Sequence, residues 1–168
     1  MDSASDLKPP NGLSEIISTF GDLAAYIDDT GLLLPTWNLD YLTVMDLPFE
    51  IPLAWDKSVV VDRMTCHKLM VPIFAGVFKQ IENDGLVYAI SDFGGCFSFR
   101  QERHSNTKIS THAWGIAIDL NPNEDAQGTV GNMNMGIVDI FRRAGFKWGG
   151  DWVGRTDDPM HLQYATGY

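Results

Sequence analysis

The chain has little cysteine and little positive charge. Its two cysteines, Cys66 and Cys96, form no CxxC pair and supply no disulfide framework, although they could pair if the fold brought them together. Twelve basic residues stand against 22 acidic ones, which gives a formal net charge of −10. This balance argues against binding nucleic acid or anionic membranes through charge alone.

Long hydrophobic runs are also missing. Counting glycine, the longest runs have six residues, among them 73–78 and 113–118, whereas a membrane-spanning helix needs about 20 apolar residues. The first six residues lack the basic start and apolar stretch of a secretory signal. We therefore expect no membrane partner, and a chain that is made in the cytoplasm or cut from something longer.

What is present suits one domain. Apolar residues make up 45% of the 168 and charged residues 20%, enough to bury an ordinary core and too apolar for intrinsic disorder. No repeat or internal linker interrupts the chain. We predict a single domain and a monomer, with residues 1–52 as an N-terminal arm, helix and extended wrap, and residues 53–168 as the core that carries the chemistry.

Hydrophobic periodicity predicts three helices. One apolar stripe at helical spacing covers residues 13–28, and a second covers residues 64–83, where Pro72 either kinks the helix or starts it. A short third helix is expected over residues 134–144, with Gly145 as its stop.

Short apolar segments predict strands near residues 47–53, 86–91, 115–120 and 160–164, and residues 30–52 otherwise indicate extended chain wrapped on the core. Helices and short strands mix without βαβ alternation. The sequence therefore predicts an α+β fold with a small antiparallel sheet flanked by helices.

Two of the four histidines carry the strongest chemical signal. His112 and His161 lie in dense polar contexts, and zinc in hydrolases takes three ligands from His and Asp/Glu and leaves one position for water. Asp119 follows His112 by seven residues, and a turn at Gly115 would let both face one metal. Single histidines and aspartates are often structural, and no compact HExxH motif is present, so spacing alone leaves both interpretations open.

Asp158 lies three residues before His161. If Pro159 enforces a turn, the Asp158 carboxylate would stand beside the metal site as a general base.

Two motifs follow each other in a specific order, Ser110-x-His112-x-x-Gly115-x-Ala117-x-Asp119 and, about forty residues later, Asp158-Pro-Met-His161. Together they resemble the zinc D-alanyl-D-alanine peptidase family. That family includes D-alanyl-D-alanine carboxypeptidases, the dipeptidases of vancomycin resistance, and phage endolysins that cut the L-alanyl-D-glutamate bond.

Two further segments extend the resemblance to roughly residues 92–163. Gly145-Phe-Lys-Trp-Gly-Gly-Asp151-Trp152 is similar to the segment before the last histidine in the endolysin-like branch. Residues 94–100, which end in Arg100, stand in the place of the family's arginine motif. Residues 1–52 carry no motif of the family.

The resemblance implies a D-Ala-D-Ala metallopeptidase fold of the hedgehog-like kind, with one Zn²⁺ on the sheet held by His112, Asp119 and His161. It implies that Asp158 is the catalytic base, since the endolysin-like branch carries aspartate where many relatives carry glutamate. Arg100 would hold the carbonyl oxygen or a carboxylate of the peptide as charge develops, a role suited to a guanidinium. The alternative for Arg100 is a surface salt bridge.

Other residues are expected near this site. Ser110 would hydrogen-bond there and contact substrate rather than act as a nucleophile. Trp114, Trp148 and Trp152 flank the site in the sequence. Core packing is the default for tryptophan, although Trp152 could wall a substrate cleft.

Four residues have competing interpretations. Asp151 and Asp157 compete for the base role, and the family position favours Asp158 over both. Arg103 and His104 would line the substrate groove or belong to a solvated loop.

The implied function is a zinc peptidase acting on peptidoglycan stem peptides that contain D-amino acids. The endolysin-like segment favours an internal L-Ala-D-Glu cut over removal of terminal D-Ala, and suggests a phage or prophage protein released to the cell wall. Two other classes stay open. One is a binding module that retains zinc, and the other is a cysteine hydrolase using Cys96 with His104 or His67. The second lacks an evident orienting acid, and His67 is expected to be structural.

Overall fold

The computed structural model describes residues 7–100, 108–153 and 156–168. The α-helices of these residues are α1 (Gly12–Phe20), α2 (Pro35–Tyr41), α3 (Val71–Asn83) and α4 (Met135–Arg143). The strands are β1 (Leu42–Pro52), β2 (Val60–His67), β3 (Phe93–Gly95), β4 (Ala117–Leu120), β5 (Lys147–Trp148) and β6 (His161–Gln163). Within these described ranges, no helix has both the length and the hydrophobicity that crossing a bilayer requires.

The strands form two antiparallel sheets. β1 and β2 make a two-stranded hairpin, and the other four strands are ordered β3-β4-β6-β5. The predicted α+β class with small antiparallel sheets and helices is therefore confirmed. The four-stranded sheet positions the candidate site, because β4 and β6 are its central strands.

The predicted helix over residues 13–28 is wrong in its second half. α1 stops at Phe20 because Gly21 has a φ of +102°, and a β-carbon there would lie 2.6 Å from the ring of Tyr41. A 3₁₀ helix, Leu23–Tyr26, follows, and Asp22 caps it by accepting a hydrogen bond from the amide of Ala24 at 3.1 Å. The apolar residues keep their helical spacing beyond Gly21, but the helix itself ends there, because glycine readily adopts this positive φ and other residues do not.

The predicted helix over residues 64–83 begins later than expected. Residues 64–67 belong to β2, and α3 starts at Val71 with Pro72 in its first turn. Proline has no amide hydrogen to lose there, so it starts the helix rather than kinking it.

The N-terminal third holds more regular structure than predicted. α2 forms where extended chain was expected, and β1 is longer than the strand predicted near residues 47–53. β1 buries Met45, Leu47 and Ile51 at alternate positions, the pattern of a strand with one face on the core.

The strand predicted over residues 86–91 is also wrong, because Val87–Ala89 forms a 3₁₀ helix. The strands predicted near residues 115–120 and 160–164 are confirmed as β4 and β6. The helix predicted over 134–144 is confirmed as α4, whose first turn is capped by Asn134 through the amide of Gly136 at 2.8 Å.

One apolar core contains residues from the N-terminal arm and from the segment that carries the motifs, among them Ile16, Phe20, Phe74, Ile118 and Leu162. The predicted division at residue 52 falls where β1 ends, and β1 pairs with β2 beyond it. The single-domain organisation stays a prediction.

Candidate metal centre

A tight turn places His112. Ser110 accepts a hydrogen bond from the His112 amide at 3.3 Å and so caps a 3₁₀ helix, Thr111–Trp114. Gly115 ends it in the left-handed region at φ +69°, and a β-carbon there would lie 2.7 Å from the amide nitrogen of His67. The predicted turn at Gly115 therefore exists, and it needs glycine for both its conformation and its close packing.

The register of the sheet brings in the other two side chains. Asp119 on β4 lies directly opposite His161 on β6. Oδ1 of Asp119 is 3.1 Å from Nε2 of His112 and 3.0 Å from Nδ1 of His161, and the two nitrogens are 3.2 Å apart. All three residues are at least nine-tenths buried.

These distances fit a zinc ion. Ligand atoms about 2.0–2.1 Å from a tetrahedral zinc lie about 3.3 Å from one another, close to the 3.0–3.2 Å observed. His112, Asp119 and His161 form a group of ligand type whose atoms converge on one point. Two imidazoles and a carboxylate suit zinc in a site with an open fourth position.

Hydrogen bonds on the far side of each ring decide which nitrogen faces the centre. Nδ1 of His112 donates to the carbonyl oxygen of Cys96 at 2.6 Å, so Nε2 is the nitrogen with the lone pair. Nε2 of His161 donates to Oε1 of Gln163 at 2.9 Å, so Nδ1 faces Asp119. The amide of Gln163 is itself oriented, because its nitrogen donates to the carbonyl oxygen of Tyr168 at 2.8 Å. Metal-bound histidines are held by partners of this type.

The electrostatics of the group favour a cation. Burial by itself would raise the pKa of Asp119, but the neighbouring His112 and His161 outweigh it and hold that pKa well below its usual range. Burial by itself would lower the pKa of His161, but the neighbouring Asp119, Gln163 and Asp158 together outweigh burial and raise the pKa. A carboxylate kept ionised in a buried site needs positive charge beside it.

The remaining predicted site residues border one small cavity beside this centre. Arg100, Ser110, Trp152 and Asp158 line it together with His161. Nη2 of Arg100 is 3.9 Å from Oδ2 of Asp119, so Arg100 forms an ion pair with a buried candidate ligand. The ring of Trp152 lies 5.5 Å from that of His161.

The glycine- and tryptophan-rich segment before β6 holds Asp158 in place. The amide of His161 donates to the carbonyl of Asp158 at 3.0 Å, which closes the turn predicted at Pro159. The amide of Asp158 donates to the carbonyl of Gly149 at 3.0 Å, and Nε1 of Trp148 donates to the carbonyl of Pro159 at 2.7 Å. A β-carbon on Gly149 would collide with the Asp158 carbonyl.

The other acidic candidates lie elsewhere. Both oxygens of Asp151 accept hydrogen bonds from Nη2 of Arg142 at 2.7 and 2.8 Å, on the exposed surface. Neither Asp151 nor Asp157 lines the cavity beside the histidines. Trp114 is a core residue whose Nε1 donates to the carbonyl of Gly21 at 3.0 Å.

His67 is structural, as expected. Its Nδ1 accepts from the amide of Leu69 at 3.1 Å and its Nε2 donates to the carbonyl of Phe20 at 3.0 Å, while burial lowers its pKa to about 4. Arg103 and His104 fall outside the described residues.

The cysteines do not support the cysteine-hydrolase interpretation. Cys66 and Cys96 are both buried and free, so the pairing left open by the sequence is not formed. Burial raises the pKa of the Cys96 thiol well above its ordinary value, and a neutral thiol is a poor nucleophile. It is the backbone carbonyl of Cys96 that contributes to the site.

Sequence reasoning missed Thr111, Gln127, Gln163 and Tyr168, all of which line the cavity. Gln163 could have been found, because residues two apart on a strand share a face and His161 was already a candidate. Tyr168 carries no local signal. It reaches the site only through the fold, and its hydroxyl donates to the carbonyl of Ile109 at 2.7 Å.

Comparison with known families supports the same chemistry. A family model described as D-alanyl-D-alanine carboxypeptidase matches residues 103–164, a segment that contains His112, Asp119, Asp158 and His161 but covers well under half of the chain. No curated protein matches. The similarity supports a hydrolase of the zinc metallopeptidase class.

Proposed function

We propose that the protein is a zinc-dependent peptidase that hydrolyses peptidoglycan stem peptides containing D-amino acids. The observation that carries the proposal is the convergence of His112, Asp119 and His161 at 3.0–3.2 Å, with both rings oriented from behind. The similarity to the carboxypeptidase family over the same segment supports this substrate class.

Two charged residues that line the cavity, Asp158 and Arg100, have chemical roles in this proposal. His112, Asp119 and His161 would hold zinc, which would supply Lewis-acid polarisation and a water of lowered pKa. Asp158 takes the proton of the attacking water and returns it to the leaving amine. Arg100 directs its planar donors to the oxygen on which negative charge develops. Its contact with Asp119, at 3.9 Å, is longer than a hydrogen bond, so the guanidinium can turn its hydrogens toward substrate.

Ser110 and Trp152 have positioning roles in this proposal and take no part in the reaction itself. Ser110 holds the turn that carries His112 and borders the cavity. Trp152 forms a wall beside His161, where an extended peptide would lie against its ring.

The proposal also includes the branch of the family, which decides the bond that is cut. An internal cut at L-Ala-D-Glu is favoured over release of terminal D-Ala, because Gly145–Trp152 in this chain is similar to the endolysin-like segment. The same proposal includes a hedgehog-like metallopeptidase fold, a single monomeric domain, and a phage or prophage protein made in the cytoplasm and released to the cell wall.

Digestion of purified peptidoglycan followed by mass spectrometry tests this function. A new D-Glu amino terminus indicates the endopeptidase, and free D-Ala indicates the carboxypeptidase. A chelator should abolish either product, and Zn²⁺ should restore it. If zinc is bound and the wall material stays intact, the protein is a binding module and the proposal fails.

A further inference from the structure

An exposed tryptophan lines a cavity that is also lined by a candidate zinc ligand. Trp55, in the loop between β1 and β2, is 71% exposed. It lines two cavities, one of about 330 Å³ and one of about 370 Å³. The first of these is also lined by Asp119, a candidate zinc ligand. Tryptophan is enriched at binding surfaces, because its ring is apolar and its N–H can donate a hydrogen bond.

The loop that carries Trp55 is fixed to the sheet. The amide of Ala54 donates to the carbonyl of Phe93 at 3.1 Å, and Nδ2 of Asn123 donates to the carbonyl of Ala54 at 2.8 Å. On the other side of Trp55, Nζ of Lys57 forms an ion pair with Oδ2 of the buried Asp92 at 3.1 Å. The indole is therefore presented on an ordered loop, which lowers the entropic cost of binding a ligand.

The cavity shared by Trp55 and Asp119 is shaped by small and apolar groups. Gly94 forms part of it, and a β-carbon there would lie 2.9 Å from the β-carbon of Asp119. Pro122, Ala126 and Met160 add apolar surface, and Asn123 adds a polar group. A flat aromatic face with a polar rim suits a ligand that has one apolar face and polar edges, which describes a pyranose ring.

We propose that Trp55 and this cavity form a subsite for an amino-sugar ring of the glycan strand to which the stem peptide is joined. The inference rests on the proposed function and adds the sugar to its substrate. The ring stacks its C–H face on the indole, and its polar substituents face the side chain of Asn123, which lines the same cavity.

The test compares one stem peptide in two forms, with an acetylated amino terminus and with the natural disaccharide attached. Wild type should prefer the disaccharide form. The measured quantity is kcat/KM for the disaccharide form divided by kcat/KM for the acetylated form. This ratio should fall about tenfold in Trp55→Ala, whereas Trp55→Phe should keep most of the wild-type preference. Tyr88→Ala is the matched control, because Tyr88 is 78% exposed and lines neither cavity. An unchanged ratio in Trp55→Ala, or an equal fall in Tyr88→Ala, overturns the subsite.

A binding measurement separates this proposal from the proposed function. The free disaccharide of N-acetylglucosamine and N-acetylmuramic acid is titrated into ¹⁵N-labelled protein, and the indole N–H signal missing from Trp55→Phe is followed. A saturable shift of that signal supports the subsite even if wild type cleaves neither substrate, in which case the peptidase proposal alone fails. A signal that stays in place overturns the subsite, whatever the activity.

Discussion

Oε1 of Gln163 accepts the hydrogen on Nε2 of His161 at 2.9 Å, and Nδ1 of the same ring lies 3.0 Å from Asp119. One amide therefore determines which nitrogen is offered to a metal. Because Gln163 is held in turn by the carbonyl of Tyr168, a residue outside the predicted motifs contributes to the orientation of a candidate ligand.

Removing this amide should weaken zinc binding. We expect Gln163→Ala to lower zinc affinity by about 10–100-fold, the usual effect of losing a partner behind a metal-bound histidine. Competition with a chromogenic chelator measures it. Gln163→Glu keeps an acceptor for His161 and should recover part of the loss, and Gln80→Ala on the exposed face of α3 is the control. Equal affinity in Gln163→Ala and wild type would contradict the orienting role.

The chain should bind one zinc ion through His112, Asp119 and His161. Elemental analysis of metal-loaded protein should give one zinc per chain, and His161→Ala should lose it because two ligands remain. A chelator should also lower the midpoint of thermal unfolding of wild type, since a metal that binds only the folded state stabilises it. His67→Asn is the control and should keep zinc, because both ring nitrogens of His67 bond to the backbone. Full zinc content in His161→Ala would rule out this ligand set.

Loss of the proposed base should separate binding from turnover. Asp158→Asn keeps the size of the side chain but cannot accept a proton, so turnover should fall about 10²–10⁴-fold while zinc stays bound. Asp151→Asn should have near-normal turnover, because Asp151 pairs with Arg142 on the exposed surface. The reverse result would identify Asp151 as the base.

A charge-conserving change tests Arg100. Arg100→Lys should lower kcat/KM by about 10²-fold, the scale of one lost donor to a developing oxyanion, because lysine has no planar fork. Arg143→Lys, on the exposed end of α4, is the matched control. Near-normal activity of Arg100→Lys would show that the guanidinium does not stabilise the oxyanion. The ion pair with Asp119 would then be the role left to Arg100.

His67 should make folding sensitive to acid. Burial lowers its pKa to about 4 in the folded protein, whereas an unfolded histidine titrates near 6.5. The unfolded state therefore binds more protons between these values, and stability falls as pH drops from about 6.5 toward 4. The free energy of unfolding of the metal-free protein is measured in urea at pH 6.8 and at pH 4.5. Between these values it should fall by about 2 kcal/mol more in wild type than in His67→Asn. The same dependence in both proteins would show that His67 titrates normally.

The elements predicted correctly depend on local pattern. α4 has a cap, an apolar stripe and a glycine stop within a dozen residues, and β4 and β6 are short apolar segments beside polar motifs. The types and spacing of the candidate ligands are also local but left a structural interpretation open, and the resemblance of their motifs to a zinc peptidase family is what selected His112, Asp119 and His161.

The predicted secondary structure was wrong where contacts between residues far apart in the sequence determine the local conformation. The apolar stripe of α1 does not show that Gly21 must break it, because the reason is the ring of Tyr41 twenty residues away. Residues 64–67 carry a pattern that also suits a helix, and their pairing with β1 makes them a strand.

The sequence by itself determined which side chains are available for the metal centre, because residue type and local spacing are written in the chain. Only the tertiary structure decided how they are used. The register of β4 against β6 sets Asp119 opposite His161, and the carbonyl of Cys96 and the amide of Gln163 select the ring nitrogens that face the centre. These contacts join residues far apart in the chain, so their geometry depends on the packing of the whole fold.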